Sequence, residues 1–150
     1  MITCVNFAWQ VLLTGAARNK RLIKFSKIEI LKKILIIEDN WEIRENVKEI
    51  LDISNYEVIT AENGQDGFEA ARANEPDLIL CDVMMPVMGG YELIIKVKSD
   101  EILQNIPFIF LTAKSEPGDY RKGMELGAAD VVVKPFDAAE LIDKIEFILK

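Results

Sequence analysis

From Lys33 onward, short apolar runs rich in β-branched residues alternate with longer stretches in which apolar positions recur every three to four residues. The runs Ile34–Ile37, Glu57–Thr60, Leu78–Cys81, Phe108–Leu111 and Val131–Val133 predict five strands. Four of them are nearly continuous in apolar residues, as strands covered on both faces are. Glu57–Thr60 is more polar and is expected at an edge. The intervening stretches Trp41–Ile53, Gln65–Ala73, Tyr91–Lys98, Ser115–Leu126 and Ala138–Leu149 predict helices. In the first, Ile43, Val47, Ile50 and Leu51 form one stripe while Glu42, Glu45, Lys48 and Glu49 point away. The last repeats the pattern with Leu141, Ile142, Ile145, Phe147, Ile148 and Leu149. The fourth is a poor helix by propensity, with Gly118 and Gly123 inside it at about 1 kcal/mol per interior glycine. Ser115 as cap, Pro117 in the first turn and Gly127 as terminator would give it ordinary boundaries.

Five strand–helix pairs in succession leave few topologies, because parallel crossovers are right-handed and connections short. The favoured fold is α/β: a doubly wound five-stranded parallel sheet of the flavodoxin-like (βα)5 kind, with strand order 2-1-3-4-5. Ligands of such sheets bind outside the carboxyl ends of strands 1 and 3, where the winding reverses. Residues 33–150 are read as one domain and residues 1–32 as an N-terminal extension. Nothing follows the last helix in the sequence, so the chain is read as a domain that stands alone.

A length of 150 residues with 50% hydrophobic and 29% charged positions suits one soluble domain with a proper core. Of the two cysteines, Cys81 lies in an apolar run where a buried thiol is ordinary, and Cys4 is remote from it, which suits a reducing cytoplasm. The net charge of −7 is uneven. Residues 1–33 hold seven Lys/Arg against Glu29, whereas the rest holds eleven Lys/Arg against twenty-four Asp/Glu. So acidic a body repels phosphate backbones, which argues against direct nucleic-acid binding. With no histidine in the chain, no phosphohistidine, imidazole base or histidine metal ligand is available.

The predicted strand ends carry the remaining chemistry. Strand 1 runs into Glu38-Asp39, strand 3 into Asp82, strand 4 into Thr112 and strand 5 into Lys134-Pro135. One acid after a strand is usually a helix cap or turn former. Three carboxylates converging at one crevice repel one another unless a cation sits among them. Mg²⁺ fits such a site, since it takes hard oxygens and commonly shares them with a phosphate. Glu38, Asp39 and Asp82 against one Mg²⁺ and Lys134 make a neutral pocket able to admit an anionic phosphodonor. A carboxylate can then attack phosphorus to form an acyl phosphate, and Asp82 is the best placed nucleophile. Thr112 could hydrogen-bond the new phosphoryl group and couple it to the loop after strand 4.

Five stretches, in order, resemble the receiver domains of two-component response regulators: Ile34 to Asn40, Ala61 to Gly64, Asp77 to Gly90, Leu111 to Lys114, and Gly127 through Phe136. The ordered set spans roughly residues 33–150 and is far more specific than any one stretch. The resemblance implies that Asp82 is the phosphoacceptor. It implies that Asp39, Asp82 and the backbone carbonyl of Met84 hold Mg²⁺, with Glu38 assisting through water, that Lys134 pairs with phosphoryl oxygens, and that Thr112 is the switch hydroxyl. A cis bond is expected before Pro135. The phosphodonor would be a sensor histidine kinase or a phosphotransfer protein. The output would be a changed surface of helix 4, strand 5 and helix 5 offered to a downstream protein. Catalysis would extend only to the domain's own phosphorylation and dephosphorylation.

Two positions depart from the family pattern. Val131 stands where an aromatic is frequent, which puts an aromatic rotamer switch in doubt, and Gly89 stands where Asp or Asn is usual. Met84, Met85 and Met88 are read as gap-filling around the turn after strand 3 rather than as a soft-metal site. Competing readings are a receiver-like docking module that never carries phosphate, a phosphohydrolase, and a flavin carrier. The intact acid, threonine and lysine set opposes the first. Met84 stands where the second aspartate of a phosphohydrolase would be, and Glu38-Asp39 replace a flavin phosphate loop. In residues 1–32, Arg21, Lys24 and Lys27 can share a helical face opposite Leu22 and Phe25, as in an amphipathic helix on a membrane surface. A tail is preferred.

Overall fold

The structure, a computed structural model, describes residues 29–113 and 117–150. The expectations for residues 1–28 and for Ser115 as a cap fall outside the described residues. The elements run β1 Lys33–Ile37, α1 Trp41–Ile53, β2 Glu57–Ala61, α2 Gly64–Asn74, β3 Leu78–Asp82, α3 Gly90–Lys98, β4 Phe108–Thr112, α4 Pro117–Glu125, β5 Asp130–Val133 and α5 Ala138–Leu149. The five strands form one parallel sheet in the order β2-β1-β3-β4-β5, so the expected doubly wound topology is present and β2 lies at an edge.

Two apolar layers sandwich the sheet. On one face Ile34, Ile36, Leu78, Leu80, Ile109 and Leu111 meet Val47 and Leu51 of α1 and Leu141 and Ile145 of α5. On the other, Leu35, Ile37, Ile79, Cys81, Phe108 and Phe110 meet Ala71 of α2 and Leu93, Ile94 and Val97 of α3. Alternate residues of each central strand thus feed opposite layers, and each fully buried side chain contributes roughly 1.5–3 kcal/mol relative to exposure. Phe147 departs from the predicted stripe of α5, being 79% exposed while Leu141 and Ile145 are buried.

Caps set where the helices start, just beyond the strand ends. Asn40 Oδ1 accepts from the Ile43 amide at the start of α1, Asn63 Oδ1 from Asp66 at α2, and Asp137 Oδ1 from Ala139 and Glu140 at α5. Gly127, at φ +98°, ends the fourth helical segment as expected. Among the described residues that helix runs Pro117–Glu125 and ends one residue before the predicted Leu126. Among the described residues no helix is long and apolar enough to cross a membrane.

Candidate functional site

The five strands point their carboxyl ends to one edge, and the polar residues predicted there meet. Register makes Asp82 the last residue of β3, opposite Leu111, and Thr112 the last of β4, opposite Val133. One carboxylate oxygen each from Glu38, Asp39 and Asp82 lies within 4.8 Å of the others. Glu38 is almost fully buried, Asp82 is 8% exposed, and Asp39 faces solvent. Thr112 is buried beside them at the sheet edge.

Lys134 reaches into the cluster from the end of β5. Its Nζ donates to Glu38 Oε2 at 2.5 Å and lies 3.5 Å from Asp82 Oδ1. The Lys134–Pro135 peptide is cis. Glu38 is engaged at both oxygens, since Oε1 also accepts from the Asn40 amide at 3.1 Å. Asp82 Oδ1 accepts from the Val83 amide at 2.8 Å. Burial pushes the Glu38 carboxyl above the usual carboxylate range, against the lowering effect of Lys134 and with the Asp82 charge adding to the rise. Burial likewise raises Asp82, opposed by Lys134 and assisted by the Asp39 charge. The pocket therefore holds more negative charge than one lysine offsets, which is the electrostatic condition for a bound cation.

The donor set fits a hard divalent ion. It consists of oxygens, includes an exposed carboxylate at Asp39, and has Glu38 held at both oxygens by Lys134 and backbone, whereas Asp82 is held at Oδ1 alone, so that Asp39 and Asp82 Oδ2 are the oxygens best able to turn toward a metal. Cys81 is wholly buried one residue before Asp82 and its thiol is pushed well up by that burial, which removes it from the donor set.

Several supporting residues carried no signal in the sequence. Arg44, on a face of α1 otherwise apolar, is buried; it donates to the Glu38 carbonyl at 2.7 Å and to Glu62 Oε1 at 3.1 Å, tying the end of β1 to the loop after β2. Gly90 presses against the Asp82 carbonyl, where a Cβ would collide, and would also come within 3.0 Å of Phe110 Cε1. Gly64 is similarly pressed on Met88, with a Cβ reaching within 2.5 Å of its carbonyl oxygen. Of the three methionines read as gap fillers, Met88 is buried and Met85 partly so, whereas Met84 is 66% exposed. Its side chain is thus mostly in solvent, a correction to the reading of all three as gap fillers. Beside Lys134 an apolar cavity of about 550 Å³, lined by Ile43, Val47, Ile50, Ala113, Pro135 and Phe136, opens between α1 and the start of α5.

Comparison with known proteins agrees with this fold. The family described as "Response regulator receiver domain" matches residues 34–146. The phosphate regulon transcriptional regulatory protein PhoB of Pseudomonas aeruginosa is 40% identical over 119 residues, which are 79% of this chain and 52% of that protein. Hybrid signal transduction histidine kinase D of Dictyostelium discoideum is 41% identical over 112 residues, 75% of this chain and 7% of that protein. The chain thus spans about half the length, or much less, of such curated relatives. Among solved structures, the chemotaxis response regulator CheY4 of Vibrio cholerae superposes with a TM-score of 0.75 at 31% identity, covering 79% of this chain and 98% of that one. The signal receiver domain of a histidine kinase from Syntrophus aciditrophicus gives 0.73 at 36% identity, covering 79% and 89%. A family match over residues 34–146, with relatives at about 40% identity and solved receivers superposing on most of the sheet and helices, has one meaning: the chain belongs to the family of response regulator receiver domains.

Proposed function

We propose that this domain is a phosphorylation-activated switch whose phosphoacceptor is Asp82, with Mg²⁺ required. The observation that supports it most directly is the gathering of Asp82 with a cation and two further acids. Lys134 Nζ holds Glu38 and lies 3.5 Å from Asp82 Oδ1, and Glu38 and Asp39 each bring an oxygen within 4.8 Å of one of Asp82, all at the carboxyl ends of the parallel strands. Magnesium held by Asp39, Asp82 and the Met84 carbonyl, with Glu38 assisting through water, would neutralise phosphoryl oxygens and admit the donor. Asp82 attacks phosphorus, the bond from phosphorus to the donor's histidine nitrogen breaks, and its electron pair stays on that nitrogen. Lys134 pairs with a phosphoryl oxygen in place of part of its hold on Glu38, and Thr112 offers its hydroxyl to another.

The donor in this reading is a sensor histidine kinase or a phosphotransfer protein, for which the apolar cavity between α1 and Phe136 is a contact beside the reacting atoms. The signal leaves through the surface of α4, β5 and α5 to a downstream protein, and the domain's catalysis is confined to gaining and losing its own phosphoryl group.

The test is intact mass after incubation with acetyl phosphate, with and without Mg²⁺, beside Asp82→Asn. A phosphate-sized gain that needs both Mg²⁺ and Asp82 is expected. Absence of any gain with Mg²⁺ bound would leave a docking module in its place.

A further inference from the structure

Helix α4 presents little apolar surface of its own to the body of the domain. Tyr120 and Met124 are exposed. Gly123 has no side chain and lies against β4 and β5, where a Cβ would come within 3.0 Å of Val131 Cγ2 and 3.1 Å of Phe110 Cδ2. What α4 turns toward its neighbour α3 is charged. Lys122 Nζ stands 4.1 Å from the centroid of the Tyr91 ring. Asp119 carries a buried Oδ2 and acts on the Tyr91 hydroxyl, which is buried too. One residue of α3 thus meets both charges, the cation over its face and the carboxylate at its hydroxyl.

The other edge of the same ring rests on the sheet. Tyr91 meets Phe110 edge-on, with centroids 5.3 Å apart and planes at 71°. Phe110 and Thr112 are two residues apart on β4 and so share a face of the strand. Strand β5 supplies only a valine here, Val131, so the aromatic that meets α4 comes from α3 instead.

We infer that Tyr91 is the anchor of α4: it fixes the helix to α3 and, through Phe110, ties the helix position to the strand that ends in Thr112. A buried aromatic hydroxyl facing a carboxylate is also expected to resist ionisation, and burial with the Asp119 charge does raise it. The tie to Thr112, though not the anchor itself, rests on the phosphoacceptor reading.

Amide hydrogen exchange on the full chain tests both. Tyr91→Leu keeps apolar volume and removes the ring face and the hydroxyl. Lys122→Met breaks the same contact from an exposed position that carries no risk to the core. Each is expected to speed exchange of the amides of residues 118–125 about tenfold while leaving those of β1, β2 and α1 unchanged, and the double variant is expected to add less than about twofold. Unchanged exchange in α4, or an equal acceleration everywhere, would overturn the anchor. With acetyl phosphate and Mg²⁺, wild-type α4 exchange is expected to change and that of Tyr91→Leu to change less. A mass gain with no change in wild-type α4 would overturn the tie to Thr112. No mass gain would overturn the phosphoacceptor reading and the tie with it, while the comparison without phosphodonor still decides the anchor.

Discussion

Val87 adopts φ +68° in the loop between β3 and α3, and the Met88 amide donates to the Pro86 carbonyl at 2.8 Å across it. This is a γ-turn of the positive-φ kind, a strained one, centred on a β-branched residue that avoids that region. The side chain is 84% exposed and gains little from packing. Val87→Gly is therefore expected to stabilise the fold by about 0.5–1 kcal/mol, the relief of left-handed strain less the extra chain entropy of glycine, read as a higher urea midpoint at unchanged slope. An unchanged or lower midpoint would show that the loop bears no such strain. Arg44 teaches the complementary lesson. Its position is on the apolar face of α1, where a charge is out of place, and the Glu38 carbonyl together with Glu62 of the loop after β2 gives its buried guanidinium a reason.

At the level of elements, the strand and helix sequence was legible because short continuous apolar runs such as Leu78–Cys81 differ sharply from longer stretches of period 3.6 such as the one holding Leu141 and Ile145. Boundaries were less so. Asp82 and Thr112 belong to their strands rather than to the loops after them, since ladder pairing to Leu111 and Val133 continues through the polar residue. Helix α3 likewise begins at Gly90, one residue earlier than its apolar pattern predicts, because Gly90 alone lets the helix start against the Asp82 carbonyl and Phe110. A methyl group at Gly90 has backbone on one side and a core ring on the other, so the strand end must shift. Gly90→Ala is expected to cost about 1–3 kcal/mol in urea unfolding. It should also reduce the phosphate-sized mass gain, whereas Gly118→Ala, with open space around it, should do neither.

For the molecule as a whole, the acid cluster sets stability against metal and pH. Glu38 and Asp82 hold protons more tightly in the fold than in the unfolded chain. Their contribution to metal-free stability is therefore fully present below the unfolded carboxylate values near 4 and is lost as pH rises through the raised folded values. At neutral pH the clustered charges work against the fold, and on the proposed function Mg²⁺ would relieve them. Saturating Mg²⁺ is expected to raise the unfolding free energy by about 2.7 kcal/mol at a hundredfold excess over its dissociation constant. The increment should shrink on acidification through the window between ordinary and raised values, because protons then compete for the same oxygens. Urea midpoints with Mg²⁺ or chelator at pH 8 and pH 5 measure it. An increment equal at both values would place the ion elsewhere, and Asp39→Ala should remove it.

By itself the sequence determined the layering of this protein: alternating apolar runs can be buried only as a parallel sheet between helices, and that sheet brings its carboxyl ends, with Glu38, Asp39, Asp82, Thr112 and Lys134, to one edge. Those are consequences of periodicity and connection handedness, which are local or nearly so. Tertiary structure alone decided which groups touch. The Lys134 contact with Glu38 spans 96 residues, Arg44 depends on a loop 18 residues away, and the meeting of Tyr91 with Asp119, Lys122 and Phe110 joins three elements. Such contacts depend on distances set by helix placement on a twisted sheet, and no spacing along the chain encodes a distance between elements that the chain does not join directly.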